Sequence, residues 1–117
     1  MLTFFQYPKC STCRKAKQFL DSQGIVYENR HIVEEPPKVD ELRELVAISG
    51  LPVQKFFNTS GQVYRQMELS KQLPTMSEEE KLQILASNGM LVKRPILTDG
   101  NQVTIGFKEE EWQQKWT

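Results

Sequence analysis

Apolar residues along this chain change their spacing several times, and each change marks a candidate element. The opening Leu2-Thr3-Phe4-Phe5-Gln6-Tyr7 is short, apolar and aromatic, and reads as a buried strand broken by Pro8. Beyond the loop, Cys13, Ala16, Lys17, Phe19, Leu20 and Gly24 mark a helix whose apolar side recurs at helical spacing. Ser11 and Thr12 stand where an N-cap or a first turn belongs, and Gly24 supplies the stop. Ile25-Val26-Tyr27 opens a second strand that runs to Ile32-Val33. Strand, helix and strand within about 33 residues have the size of a parallel βαβ crossover, which should be right-handed.

Glu34-Glu35-Pro36-Pro37 interrupts the pattern, and a helix follows over 39–49 with Leu42, Leu45, Val46 and Ile48 facing inward. Gly50-Leu51-Pro52 ends it. Val53 to Phe57 is a short apolar piece leading into the turn-like Asn58-Thr59-Ser60-Gly61, and Tyr64, Met67 and Leu69 suggest another short helix. Ser77 followed by Glu80 has the spacing of a capping box and predicts a helix carrying Leu82, Ile84, Leu85 and Ala86 as far as Asn88-Gly89. Ile96-Leu97-Thr98 and Val103-Thr104-Ile105 flank Asp99-Gly100-Asn101-Gln102, a strong hairpin signal. A last amphipathic helix over 108–116 opens on acidic residues, where the helix dipole favours them. No repeat, low-complexity tract or linker interrupts the order, so the whole chain is expected to share one core.

Composition narrows the class. With 117 residues there is room for a single domain. Apolar residues make up 38% and charged ones 26%, which fits a soluble globular chain rather than a disordered one. Fifteen basic residues balance fifteen acidic ones, so no global charge draws it to nucleic acid or to a membrane surface. The N-terminal residues lack the basic start and longer apolar stretch of a signal peptide, and no run approaches the roughly 20 apolar residues that span a bilayer. The expected compartment is the cytoplasm, where thiols are kept reduced.

In that setting the two cysteines, Cys10 and Cys13, point to redox chemistry. Cys10 stands before the helix, where unpaired amide N–H groups and the positive dipole end favour thiolate. Cys13 lies about one turn on, near enough to attack an adduct formed at Cys10. Lys9, Arg14, Lys15 and Lys17 add positive charge, and no acidic residue precedes Asp21. This patch should lower the Cys10 pKa and attract an anionic substrate. Structural zinc normally takes four ligands, whereas the chain offers two cysteines and a distant His31. Two buried, inert cysteines are the other alternative. His31 reads as structural or surface.

The segment Tyr7-Pro8-Lys9-Cys10-Ser11-Thr12-Cys13-Arg14-Lys15-Ala16 resembles the active-site segment of the arsenate reductase (ArsC)/Spx family, a branch of the thioredoxin-like fold. Glu34-Glu35-Pro36-Pro37 resembles the lead-in to that family's helical insertion, Lys93-Arg94-Pro95-Ile96 its Arg-Pro-Ile segment, and Gly106-Phe107-Lys108-Glu109 the start of its last helix. The resemblance spans essentially the whole chain. It implies an α/β, thioredoxin-like domain over 1–117, with a mixed four-stranded sheet. A helical insertion over about 38–90 would separate the βαβ half from the C-terminal β-hairpin and helix. It also implies a cis proline at Pro95 beside the active cysteine, and Arg94 presenting its planar fork of donors to an oxyanion or a cysteine adduct. An ordinary surface ion pair is the alternative role for Arg94.

The implied catalytic residues are Cys10 as nucleophile, Cys13 as resolving cysteine and Arg94, with Lys9, Ser11, Thr12, Arg14 and Pro95 in support. No metal and no bound cofactor are expected; an external reductant, thioredoxin or glutathione/glutaredoxin, would restore the dithiol. The substrate would be a small oxyanion such as arsenate, a protein disulfide or a mixed thiol adduct. Two departures qualify the resemblance. Glutaredoxin-linked arsenate reductases carry several arginines around the oxyanion, and here only Arg94 has a match, with Asn58 and Ile105-Gly106-Phe107 supplying none. Spx regulators share the paired cysteines, but the glycine by which they engage RNA polymerase has no counterpart near Leu51-Pro52. The sequence thus looks like a third branch, with two expected activities: a thiol-dependent reductase, or a redox sensor read by the RNA polymerase α subunit. Direct nucleic-acid and membrane partners are not expected.

Overall fold

The computed structural model describes residues 2–117 and contains a sheet of four strands in the order β2-β1-β3-β4. The strands are β1 (Leu2–Gln6), β2 (Tyr27–His31), β3 (Ile96–Thr98) and β4 (Val103–Ile105). β1 runs parallel to β2 and antiparallel to β3, and β3 and β4 form the antiparallel hairpin, so the sheet is mixed. The helices are α1 (Ser11–Ser22), α2 (Val39–Ser49), α3 (Gln62–Gln66), α4 (Leu69–Gln72), α5 (Glu78–Ser87) and α6 (Glu109–Trp116). No helix among the described residues is long and apolar enough to cross a membrane.

Side-chain alternation along β1 and β3 divides the interior. Phe4 sits opposite Leu97, and with Ala16, Phe19 and Leu20 of α1 and Trp112 of α6 it forms one apolar cluster. Phe5 sits opposite Ile96 and points the other way, into a larger cluster with Leu42, Leu45, Phe56, Phe57, Leu69, Leu82 and Leu85. The expected single core is therefore two clusters separated by the sheet, a consequence of the two-residue period of a strand. The smaller cluster is mostly aromatic: Trp112 meets Phe107 edge-on at 4.9 Å and Phe19 at 6.0 Å.

Local signals were mostly realised. Cys13, Ala16, Phe19 and Leu20 are buried along α1, whereas Lys17 faces solvent and pairs with Asp21 at 2.7 Å. Ser77 and Glu80 exchange capping hydrogen bonds of 3.1 Å each, so α5 begins where the sequence predicts. In the hairpin, Asp99 Oδ1 accepts from the N–H groups of Asn101 and Gln102, and Gly100 takes a φ of 90°.

Several boundaries differ: the first strand ends at Gln6 rather than Tyr7, and the second ends at His31, short of Ile32 and Val33. The second strand starts at Tyr27, because the chain first turns through Gly24 at φ 69° and ties the Ile25 N–H to Leu20; Val26 is left exposed. The expected helix around Tyr64 to Leu69 is broken into α3 and α4 by Glu68, which adopts a left-handed φ of 53°. The last helix begins one residue late, with Lys108 as its N-cap.

Candidate functional site

Cys10 is the N-cap of α1, with extended backbone at φ −88° and ψ 121°; Ser11 and Thr12 form the first turn. Its Sγ accepts from the Cys13 N–H at 3.4 Å, a capping contact in which sulfur takes the place usually held by a Ser or Asp oxygen. The first turn holds no acidic side chain, so the positive end of the helix is not neutralised locally. Partial burial pushes the Cys10 thiol up. The Cys13 N–H, the Cys13 thiol and the Arg94 guanidinium together outweigh it and hold Cys10 below the ordinary thiol value.

Cys13 is the opposite case. It is 1% exposed, and its Sγ accepts from the Tyr7 N–H at 3.5 Å. Burial pushes its thiol up to about 12, the Cys10 sulfur adds to the rise, and the Tyr7 N–H and Arg94 offset only part of it. The two sulfurs are free thiols with well-separated acidities, that of Cys10 lowered and that of Cys13 raised.

Arg94 reaches this pair from the other end of the chain, immediately before β3. Its peptide bond to Pro95 is cis, Pro95 is buried, and the Pro95 carbonyl accepts from the Gly106 N–H at 2.8 Å. The guanidinium carbon stands 5.1 Å above the Tyr7 ring, which in turn meets His31 edge-on at 5.7 Å. The Arg94 Nε and Nη1 are buried with no hydrogen-bond partner among the described residues, and Arg94 makes no ion pair there. Buried donors without partners are rare, and the guanidinium that carries these lies beside the Cys10 sulfur. They are suited to an incoming oxyanion or to an adduct on Cys10.

A cleft of about 610 Å³ opens beside Cys10 and Arg94, with Thr12, Lys55, Asn58, Lys93, Phe107, Lys108 and Glu111 on its walls. Long-range backbone pairing assembles it. The Asn58 N–H donates to Leu91 and the Lys93 N–H to Phe56, each at 2.7 Å, and Phe57 bridges Val92. A second cleft, of about 340 Å³, lies across the sheet near Phe5 and Asp99; its Arg30 is already held by Glu41 at 2.7 Å. Only the first cleft contains a sulfur.

A model of the ArsC family matches residues 5–115. The chain belongs to the ArsC family. It is 53% identical over 115 residues to the protein YusI of Bacillus subtilis (strain 168), covering 98% of each chain. It is 28% identical over 111 residues to the global transcriptional regulator Spx of Streptococcus mutans serotype c (strain ATCC 700610 / UA159), covering 95% of this chain and 80% of that one. Among solved structures, a possible arsenate reductase from Streptococcus mutans UA159 superposes with a TM-score of 0.88 at 44% identity, covering 97% of this chain and 98% of the other. The fold is thus the thioredoxin-like α/β arrangement of this family, with a mixed four-stranded sheet.

Within this ArsC family fold, Cys10, Thr12 and Arg94 reach one cleft, with Cys13 buried behind the helix start. Lys9, Ser11 and Arg14 are exposed and do not line it. The expected basic patch is smaller than the sequence suggests, since Lys17 is neutralised by Asp21 one helical turn away. His31 is structural: its Nδ1 accepts from the N–H groups of Val33 and Glu34 at 3.2 and 3.1 Å. Lys55, Lys93 and Lys108 line the cleft, and sequence reasoning passed over all three. Each is an isolated lysine in its own segment, and only tertiary pairing brings them to the sulfur. Among the described residues no group of three or more His, Cys, Asp or Glu is arranged to hold a metal ion.

Proposed function

We propose that this protein is a thiol–disulfide oxidoreductase in which Cys10 is the nucleophile and Cys13 the resolving thiol. One observation carries the reading: Cys10 is held at a helix N-cap with its pKa lowered, while its partner one turn on is buried and protonated. The Cys10 thiolate attacks one sulfur of a disulfide substrate, and the leaving sulfur departs as thiolate. Cys13 then gives its proton to the departing thiolate and attacks the Cys10 sulfur. This releases the second half of the substrate and leaves a Cys10–Cys13 disulfide. The substrate gains two electrons and the protein dithiol loses two. A dithiol or glutathione-type donor, thioredoxin or glutathione/glutaredoxin, returns them. Such a cycle suits the cytoplasm, where a thiol pool is maintained.

Arsenate is the oxyanion alternative, supported by the likeness to the Streptococcus mutans protein. A disulfide substrate is the first choice, because a divalent oxyanion would find a single arginine fork in the cleft and otherwise only separate lysines. A second reading, a redox sensor whose disulfide state is read by the RNA polymerase α subunit, is supported by the likeness to Spx. A coupled reductase assay, with a disulfide or arsenate as substrate and each donor in turn, tests the set beside a Cys10→Ser control. Turnover lost in the control, with a Cys10–Cys13 disulfide seen by mass analysis, is the expected result. No Cys10–Cys13 disulfide under mild oxidation sinks the enzyme reading; binding of the polymerase α C-terminal domain in only one redox state supports the sensor.

A further inference from the structure

Tyr7 touches both sulfurs and the arginine of the Cys10 site, yet the reaction proposed for Cys10 gives its ring no task. The Tyr7 backbone serves the sulfur pair: the Cys10 N–H donates to the Tyr7 carbonyl at 3.0 Å, and the Tyr7 N–H donates to the Cys13 Sγ at 3.5 Å. Those bonds belong to the main chain, so most residues could supply them. The ring does something else. It lies under the Arg94 guanidinium, whose carbon stands 5.1 Å from the ring centroid, inside the range at which a cation is drawn to an aromatic face.

Arg94 depends on that face because little else holds its head. It makes no ion pair among the described residues, and its buried Nε and Nη1 have no hydrogen-bond partner there. Arg30 is the contrast within the same fold. Its guanidinium also stands over a ring, that of Phe5 at 4.8 Å, but the Glu41 carboxylate clamps it with bonds of 2.7 and 3.1 Å. A guanidinium is planar and weakly hydrated, so stacking on a ring fixes its tilt as well as its place. The Tyr7 ring is itself braced: His31 meets it edge-on at 5.7 Å, and the His31 Nδ1 is tied to the Val33 and Glu34 N–H groups. Tyr7 also packs against the larger apolar cluster. Support therefore runs from a backbone-tied imidazole through the ring to the guanidinium.

Resting on the thiol–disulfide reading above, we propose that Tyr7 is a positioning residue for that reaction: its ring face holds the Arg94 guanidinium at the Cys10 sulfur, and Arg94, so held, stabilises the negative charge with which that sulfur attacks. Without the ring the arginine keeps its charge but not its place. The same cation, free to swing toward water, is farther from the sulfur and more strongly screened. The other groups that face Cys10 are the Cys13 thiol and, across the cleft, Lys55, Lys93, Lys108 and Glu111. They come from other segments, and a side-chain change at position 7 leaves their charges as they are.

The test is the pH profile of Cys10 alkylation in the reduced full chain, read by intact mass. Tyr7→Leu and Tyr7→Met both remove the ring face and keep apolar volume, so if one does not fold the other still answers. Each should move the midpoint up, lowering the thiolate fraction on the acid limb by roughly two- to fivefold, the equivalent of one cation–π contact. Neither should move it further than Arg94→Gln does. Tyr7→Phe and Tyr7→Trp keep a ring face and should stay near the wild-type midpoint. In an Arg94→Gln background Tyr7→Leu should add no further shift, which a general loosening of the α1 start would not predict. An unmoved midpoint in Tyr7→Leu and Tyr7→Met, an equal shift in Tyr7→Phe, or an undiminished shift in the Arg94→Gln background overturns the positioning role and leaves the thiol–disulfide reading intact. A wild-type midpoint no lower than that of an ordinary thiol also overturns the role; if no Cys10–Cys13 disulfide forms under mild oxidation either, both readings fall.

Discussion

Replacing Cys10 by serine asks whether the fold alone keeps the Cys13 sulfur unreactive. Burial is the first cause of the rise of the Cys13 thiol from 9.0 to about 12, and it survives the substitution; only the smaller push from the Cys10 sulfur is lost. At pH 8 a thiol with a pKa of about 12 is ionised in roughly one molecule in ten thousand, against about one in ten for a thiol at 9.0. The more basic thiolate is the better nucleophile: a Brønsted slope of about 0.4–0.5 returns a factor of about 15–30. A deficit of roughly 30–60-fold remains from ionisation alone, and 1% exposure of the side chain adds steric exclusion to it. Timed iodoacetamide labelling at pH 8, followed by intact mass, measures it. Native Cys10→Ser keeps the burial but loses the push from the Cys10 sulfur, so it should label more slowly than the same variant in guanidinium by roughly tenfold or more. The reduced wild type should take up one label quickly, at Cys10. Native Cys10→Ser labelling as fast as the unfolded variant would refute the argument, because the start of α1 would then open without global unfolding.

Other substitutions probe the neighbours. Arg94→Gln removes a cation that favours the Cys10 thiolate, so the pH midpoint of Cys10 alkylation should rise; an unmoved midpoint means that Arg94 does not interact with the sulfur. The sign for stability follows. Because folding lowers the Cys10 pKa, the stability of the reduced wild type relative to Cys10→Ser should be highest above the unfolded pKa of 9.0 and should decline as pH falls through the lowered folded value; chemical denaturation at several pH values reads it, and a difference that does not change with pH contradicts the shift. Gly89→Ala would put a Cβ 1.9 Å from the Ile32 carbonyl oxygen, and the forced shift should cost on the order of 1–3 kcal/mol or more; an unchanged denaturation midpoint contradicts that close approach. Ser77→Ala removes the hydroxyl that accepts from Glu80 and should cost about 1 kcal/mol in urea denaturation, with Ser77→Thr retaining most of the stability.

The amino-acid order alone determined whatever rests on near neighbours. The Ser77–Glu80 cap, the Asp99-Gly100 hairpin and the β1–α1 succession each depend on residues within one or two turns, so each could be read from spacing. Cys10 and Cys13 were legible for the same reason, since a helix start is local and its unpaired N–H groups are fixed by the backbone. Arg94 was found through resemblance rather than spacing. Tertiary structure decided the rest. It separated Phe4 from Phe5 onto opposite faces of the sheet and turned Glu68 through a left-handed break in an otherwise helical stretch. It also gathered Lys55, Lys93 and Lys108 beside the Cys10 sulfur. Nothing local predicts that gathering, because it depends on Phe56 and Asn58 pairing with Lys93 and Leu91 across a long stretch of chain. The nucleophile is a property of a helix end; the charge that faces its substrate is a property of chain segments that meet only when the whole domain has folded.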